Sequence, residues 1–283
     1  MVESLAAYLH YIPLAGADGR LTESRVATLV LNRPDAANAF SGDLLVRITE
    51  LLQEVAQDPT VRILTLQGSG RHFSAGADLH WMKASAQLKF DGNLAEAKKL
   101  SAMFESLTAL KIPTIAIVKG AVFGGAVGLL AACDYAFSDE SAKVCLSEAK
   151  IGLIPAVILP YLQRKIEAAS LHRMVMTSQI LTAEQLLKMG LVQEVAQSAK
   201  GQLEALVRAE INALLQTSPE AQSAYKILWN KLELGTQDED LTADAIASIR
   251  ASEMGQHGLQ SFFQKQTPSW VLSLPEKTHV LIP

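Results

Sequence analysis

The 283-residue chain has little cysteine, no surplus of one charge and no long apolar run, and each shortage excludes a class of protein. Two cysteines, Cys133 and Cys145, cannot build a disulfide framework and share no metal-ligand spacing. Each reads as a small core residue, and a reduced, cytoplasmic setting is expected. Against 29 acidic residues stand 25 basic ones, so the net charge of −4 provides no cationic field for nucleic acid. A phosphate-rich ligand would need a local basic patch instead. The longest uncharged apolar stretch, residues 120–133, is too short and too glycine-rich to span a bilayer. The opening segment carries an early glutamate and no basic region ahead of a sustained apolar run, so no secretory leader and no membrane association are expected. There is no HExxH, no GxSxG, and no GxGxxG at a strand-to-helix junction. Zinc-protease, serine-hydrolase and dinucleotide chemistry therefore lack their usual signals, and neither a metal nor a cofactor is indicated.

What is present alternates between strand and helix patterns. Residues 25–31 (RVATLVL) read as a strand ended by the turn chemistry of Asn32-Arg33-Pro34-Asp35. Ser41 reads as an N-cap for a helix with Leu44, Leu45, Ile48, Leu51, Leu52 and Val55 on one face, stopped at Asp58-Pro59. A second strand, 61–66, empties into the small-residue loop 68–78, where α/β folds place their chemistry. Residues 81–92 read as mobile and polar, and 94–110 as a helix ended by the Pro113 signal. Thr182 and Gln185 resemble a capping box, Gly190 a helix stop, and 191–195 a closing strand. Beyond about residue 202 only helix signals remain: Ser218-Pro219 as a start, Gly235 as a stop, Thr242 as a cap, Gly255 as a stop, and a last helix over 259–266. This shift divides the chain into a β/α core, 1–201, and a helical C-terminal region, 202–283, whose apolar faces need the core or another subunit to cover them.

The chemistry concentrates in residues 112–155. A strand, 114–118, breaks into Gly120, Gly124 and Gly125, and a short apolar helix runs to about Asp134. Glycines there let a backbone approach a ligand closely, and the unpaired N–H groups opening a helix suit an oxygen that gains negative charge. The loop at 75–78 offers a second such place, although both segments also read as ordinary tight turns. Glu148, twenty residues after Gly128, is either a solvated carboxylate or, if pocketed, an acid/base. His72 and His80 read as surface or satisfied loop histidines.

Taken together, LNRPDAANAFS (31–41), HFSAGADL (72–79), IPTIAIVKGAVFGGAVGLLAACD (112–134) and AKVCLSEAKIGLIP (142–155), followed by LTAEQLLKMGLVQEV and GLQSFFQKQTPSW, resemble the crotonase superfamily of enoyl-CoA hydratases and isomerases. The resemblance covers nearly the whole chain. It implies an α/β fold, a crotonase-type (ClpP-like) spiral of ββα units, with a helical C-terminal region that trimerises, two trimers often stacking as a hexamer. It implies an acyl-CoA substrate whose thioester oxygen is held by the N–H groups of Ala77 and Gly125. Coenzyme A, part of the substrate rather than a cofactor, would meet Ala75, Asp78 and Leu79, with Lys265 reaching its phosphates, often across a subunit interface.

One position departs from the family pattern. Two-carboxylate hydratases carry a first glutamate where this chain has Gly128, whereas Glu148 matches the second. A single-glutamate isomerase is thus an alternative to a hydratase, as is a non-catalytic CoA- or RNA-binding relative, against which the acidic balance and Glu148 argue. The segments GADLHWMK, GGAVGLLAACD and VCLSEAKIGLIPAVILPY resemble bacterial methylglutaconyl-CoA hydratases of leucine degradation, many of which share that glycine. This places hydration first, with Lys150, Arg71 and His80 as candidates to meet a distal carboxylate.

Overall fold

The computed structural model describes residues 5–197, 201–233, 235 and 239–282; residues 1–4 of the opening segment and 198–200 lie outside it. The strands are β1 (Ala7–Ala15), β2 (Leu21–Leu31), β3 (Val61–Gly68), β4 (Thr114–Val118), β5 (Ala121–Phe123), β6 (Tyr135–Asp139), β7 (Lys143–Cys145), β8 (Leu181–Thr182) and β9 (Glu194–Ala196). The helices are α1 (Gly42–Gln57), α2 (Leu79–Ser85), α3 (Phe90–Thr108), α4 (Gly125–Ala132), α5 (Leu159–Gln163), α6 (Ala168–Thr177), α7 (Ala183–Lys188), α8 (Gln202–Leu215), α9 (Pro219–Glu233), α10 (Glu239–Ala251) and α11 (Glu253–Gln264).

Six strands form one sheet in the order β1-β2-β3-β4-β6-β9, antiparallel between β1 and β2 and parallel beyond. Its central strands β3 and β4 are buried along their whole length, β4 apolar after Thr114 and β3 burying Arg62, Thr65 and Gln67 among its apolar residues. Alternate side chains go to opposite cores. Ala116 and Val118 of β4 join α1, α3 and α4 in one cluster, while Ile115 and Ile117 join Val207, Ile211 and Leu215 of α8 in the other. A second sheet, β5-β7-β8, stands beside the first. The chain end returns to the core, where Ser273 and Ala15 exchange backbone hydrogen bonds and Leu272, Leu274 and Val280 are buried.

Several local expectations hold. Ser41 caps α1, Thr182 and Gln185 form a reciprocal capping box, and Gly235 follows α9 with a φ of 81°. Both cysteines are buried free thiols. Others need correction. In residues 81–92, read as mobile and polar, the structure places helix: α2 occupies Leu79–Ser85 and α3 begins at Phe90. Thr242 lies inside α10 rather than capping it, and Gly255 lies in the first turn of α11, which is capped by Ser252. The closing strand starts at Glu194, because the N–H groups of Leu191 and Val192 turn back to the Leu186 carbonyl.

Candidate active site

Three extended segments run side by side. Ser74 is bridged in parallel to Val122 of β5, and Val122 pairs in parallel with Val144 of β7. Counting three residues on from Ser74 and Val122 reaches Ala77 and Gly125, and four on from Val144 reaches Glu148. Strand register therefore assembles three residues that the sequence holds in separate stretches.

Two glycines aim the backbone there. Gly76 has a φ of 90° and Gly124 a φ of 54°, conformations that L side chains rarely adopt. They also touch: a Cβ on Gly76 would lie 2.6 Å from the Phe123 carbonyl oxygen, so the loop and the start of α4 are in backbone contact. The Gly124 N–H donates to the Cys145 carbonyl at 2.9 Å, tying α4's entry to the strand that leads to Glu148. The N–H groups that follow the two glycines, on Ala77 and Gly125, donate to no acceptor among the described residues.

Glu148 opens a single 3-10 turn, Glu148–Ile151, with its side chain against Gly124; a Cβ built there would stand 3.4 Å from Oε1. Oε2 is buried and has no hydrogen-bond partner among the described residues. Burial pushes the carboxyl above its ordinary value of 4.5, opposed only by its own backbone N–H. A carboxylate with one oxygen buried and unpartnered, and with no ion pair among the described residues, is poised to accept a proton, and two unpaired N–H groups nearby can receive an oxygen that becomes negative.

The departure at Gly128 has a structural counterpart. Gly128 is buried in the middle of α4, and a Cβ there would overlap Ile158 Cγ2 and lie 2.7 Å from Phe104 Cζ. Phe104 is itself wedged against Tyr161, the ring centroids 5.4 Å apart. The volume is thus filled with hydrocarbon, not merely missing a glutamate.

For the other expected coenzyme contacts the backbone sets limits. The Ala75 N–H is spent on Ala37 and the Asp78 N–H on Phe40. The Asp78 carboxylate caps α2 through the His80 N–H and pairs with Arg33 at 2.9 Å, which holds its carboxyl below the ordinary range. What stays open is the Leu79 N–H, beneath a side chain 72% exposed. Lys265 terminates α11 with a left-handed φ of 55°, and no hydrogen bond among the described residues joins its side chain to the site. Arg71, His80 and Lys150 are all exposed, Lys150 on the same turn as Glu148.

Sequence reasoning missed the residues that hold the loop in place. Buried Asn38 donates through Nδ2 to the Ser69 and His72 carbonyls, at 3.0 and 2.8 Å, and accepts from the Arg33 N–H. The Ser74 hydroxyl donates to the Asn38 carbonyl, and the Phe40 N–H to the Gly76 carbonyl at 2.7 Å. The only signal was an asparagine in a turn-rich stretch, with nothing to show that its partners lie more than thirty residues on.

Residues 22–272 match the family profile described as enoyl-CoA hydratase/isomerase. The 2,3-dehydroadipyl-CoA hydratase of Escherichia coli is 30% identical over 251 residues, 88% of this chain and 96% of that protein. The trans-2-decenoyl-[acyl-carrier-protein] isomerase of Streptococcus mutans is 28% identical over 252 residues, 88% of this chain and 95% of that one. Among solved structures, an enoyl-CoA hydratase from Shewanella pealeana superposes with a TM-score of 0.85 at 36% identity, covering 95% of this chain and 98% of that one. The spiral α/β architecture is the crotonase fold, and the chain is an enzyme belonging to the enoyl-CoA hydratase/isomerase family, the crotonase superfamily.

Proposed function

We propose that the enzyme adds water across the double bond of an α,β-unsaturated acyl-CoA, with Glu148 as its single acid/base. The carrying observation is Oε2 of Glu148, buried without a partner on a half-buried carboxylate set beside the start of α4. Water attacks Cβ as Glu148 takes one of its protons, and the double-bond electrons move through Cα to the thioester oxygen. The Ala77 and Gly125 N–H groups hold that enolate oxygen, each donor lowering the barrier by about 3 kcal/mol. Collapse of the enolate lets Cα take a proton from Glu148, so hydroxide has added at Cβ, hydrogen at Cα, and the carboxylate is restored. No cofactor enters beyond the coenzyme A of the substrate.

A carboxylate-ended acyl group, as in 3-methylglutaconyl-CoA of leucine degradation, is supported by the subgroup segments and by the E. coli relative named for dehydroadipyl-CoA. Lys150 on the Glu148 turn, with Arg71 and His80 on the loop side, are the exposed cationic or titratable groups available to such a terminus. Double-bond migration is the second reading, favoured by one observation: Phe104 and Ile158 fill the place of a second carboxylate, leaving one group to carry a proton between Cα and Cγ. Assaying 3-methylglutaconyl-CoA, crotonyl-CoA and a 3-enoyl-CoA for both hydration and migration separates the two; migration without hydration would overturn the first. We further propose assembly as a trimer or stacked trimers, with Lys265 of α11 serving the coenzyme phosphates.

A further inference from the structure

Lys165 takes no part in the chemistry above, yet its ammonium is spent on the far end of the helix that presents Gly125. Nζ donates to the carbonyls of Leu130 at 3.2 Å, Cys133 at 2.5 Å and Asp134 at 3.2 Å, using all three of its donors. These are carbonyls of the last turn of α4 and the two residues beyond. No left-handed cap satisfies them, because Cys133 is extended. The other titratable groups facing Lys165 are the Asp134 carboxylate, Lys226 and the Cys133 thiol. Asp134 is already held by the Thr114 N–H and hydroxyl and by Lys226 at 2.6 Å, so Lys165 serves the backbone rather than a carboxylate.

The segment from Glu148 to Lys165 runs alongside α4 in the same direction and grips it three times. Glu148 lies against Gly124 ahead of the first turn, Ile158 against Gly128 in the middle, and Lys165 holds the end. An eight-residue helix is about 12 Å long, so a shift at one end is transmitted to the other.

We propose that Lys165 is a positioning residue of the active site: by clamping the C-terminal carbonyls of α4 it fixes the helix's axial register along residues 148–165. It thereby sets the distance between the Gly125 N–H and the Glu148 carboxylate. The role rests on the reading that those two groups act on one thioester.

The test uses the full chain, with kinetics on crotonyl-CoA and the absorbance of bound para-dimethylaminocinnamoyl-CoA, which red-shifts when donors polarise its carbonyl. Lys165→Met should lower kcat by about 100-fold, the scale of a 1 Å misplacement, with KM little changed and the red shift reduced. Lys226→Met, which breaks the neighbouring ion pair but frees no α4 carbonyl, should lower the melting temperature while keeping kcat and the red shift. Lys165→Gln, which keeps two donors without the charge, serves where Lys165→Met does not fold, with a smaller loss in the same direction. A folded Lys165 variant with wild-type kcat and red shift overturns the proposal. A wild-type protein that shows no red shift, or keeps turnover as Glu148→Gln, overturns the underlying reading instead.

Discussion

At Gly128 the backbone of α4 meets Phe104 and Ile158 so closely that even a methyl group would overlap them. Installing the glutamate of two-carboxylate relatives should therefore damage the protein rather than improve it. Gly128→Glu is expected to lose about 1–3 kcal/mol from overpacking, read as a lower urea midpoint, and to gain no hydration rate. Adding Phe104→Ala to that variant makes room and should recover part of the stability. Glu148 leads to a pH prediction. Its folded pKa lies above the ordinary 4.5, so the base is unprotonated only above that raised value. The rate at low substrate should rise with pH through a limb placed above 4.5 and then level off. The stability sign runs the opposite way. The folded state holds this proton more tightly than the unfolded one, so stability falls as pH rises from the ordinary value through the raised one. Replacing Glu148 with Gln removes that loss, and the variant should melt higher than wild type at neutral pH.

Among the elements, the loop that ends at Asp78 is the most exposed to test. Asp78 caps α2 and holds Arg33, whose guanidinium also donates to the Ala39 carbonyl at 2.6 Å. Asp78→Ala should cost about 0.5–2 kcal/mol from the lost cap and lower kcat by loosening the Ala77 N–H, a pairing seen by combining calorimetry with kinetics. How much of this was legible depended on what each element buries. Helix α1 could be read because six apolar residues on one face are buried. Helix α2 could not, because none of its residues is buried and no periodicity marks it. Strand β1 escaped because Pro13 interrupts it, a residue tolerated there because β1 is an edge strand that pairs with no strand but β2. Gly125 and Glu148 stood out by residue type. Their meeting did not, because it is created by the β5–β7 register and by Asn38, whose contacts are long-range.

For the whole molecule, the C-terminal helices show what the single chain leaves uncovered. Helices α9 and α11 expose Tyr225, Trp229, Phe262 and Phe263, the last two 77% and 74% accessible, whereas α8 is anchored in the core by four buried side chains. For the proposed trimer or stacked trimers, sedimentation should give a mass that is a multiple of three chains of 30.5 kDa. Replacing Phe262 and Phe263 with Ser should lower that mass if the proposed assembly uses this face. Among the described residues no helix is long and apolar enough to cross a membrane. The central claim is that one carboxylate, set against two backbone donors, performs the chemistry. It is tested most directly by measuring turnover and thioester binding side by side for wild type and Glu148→Gln on the best substrate of the panel. Turnover should fall by at least about 100-fold in Glu148→Gln, with binding of the acyl-CoA nearly unchanged. Turnover retained in the folded variant would contradict the claim.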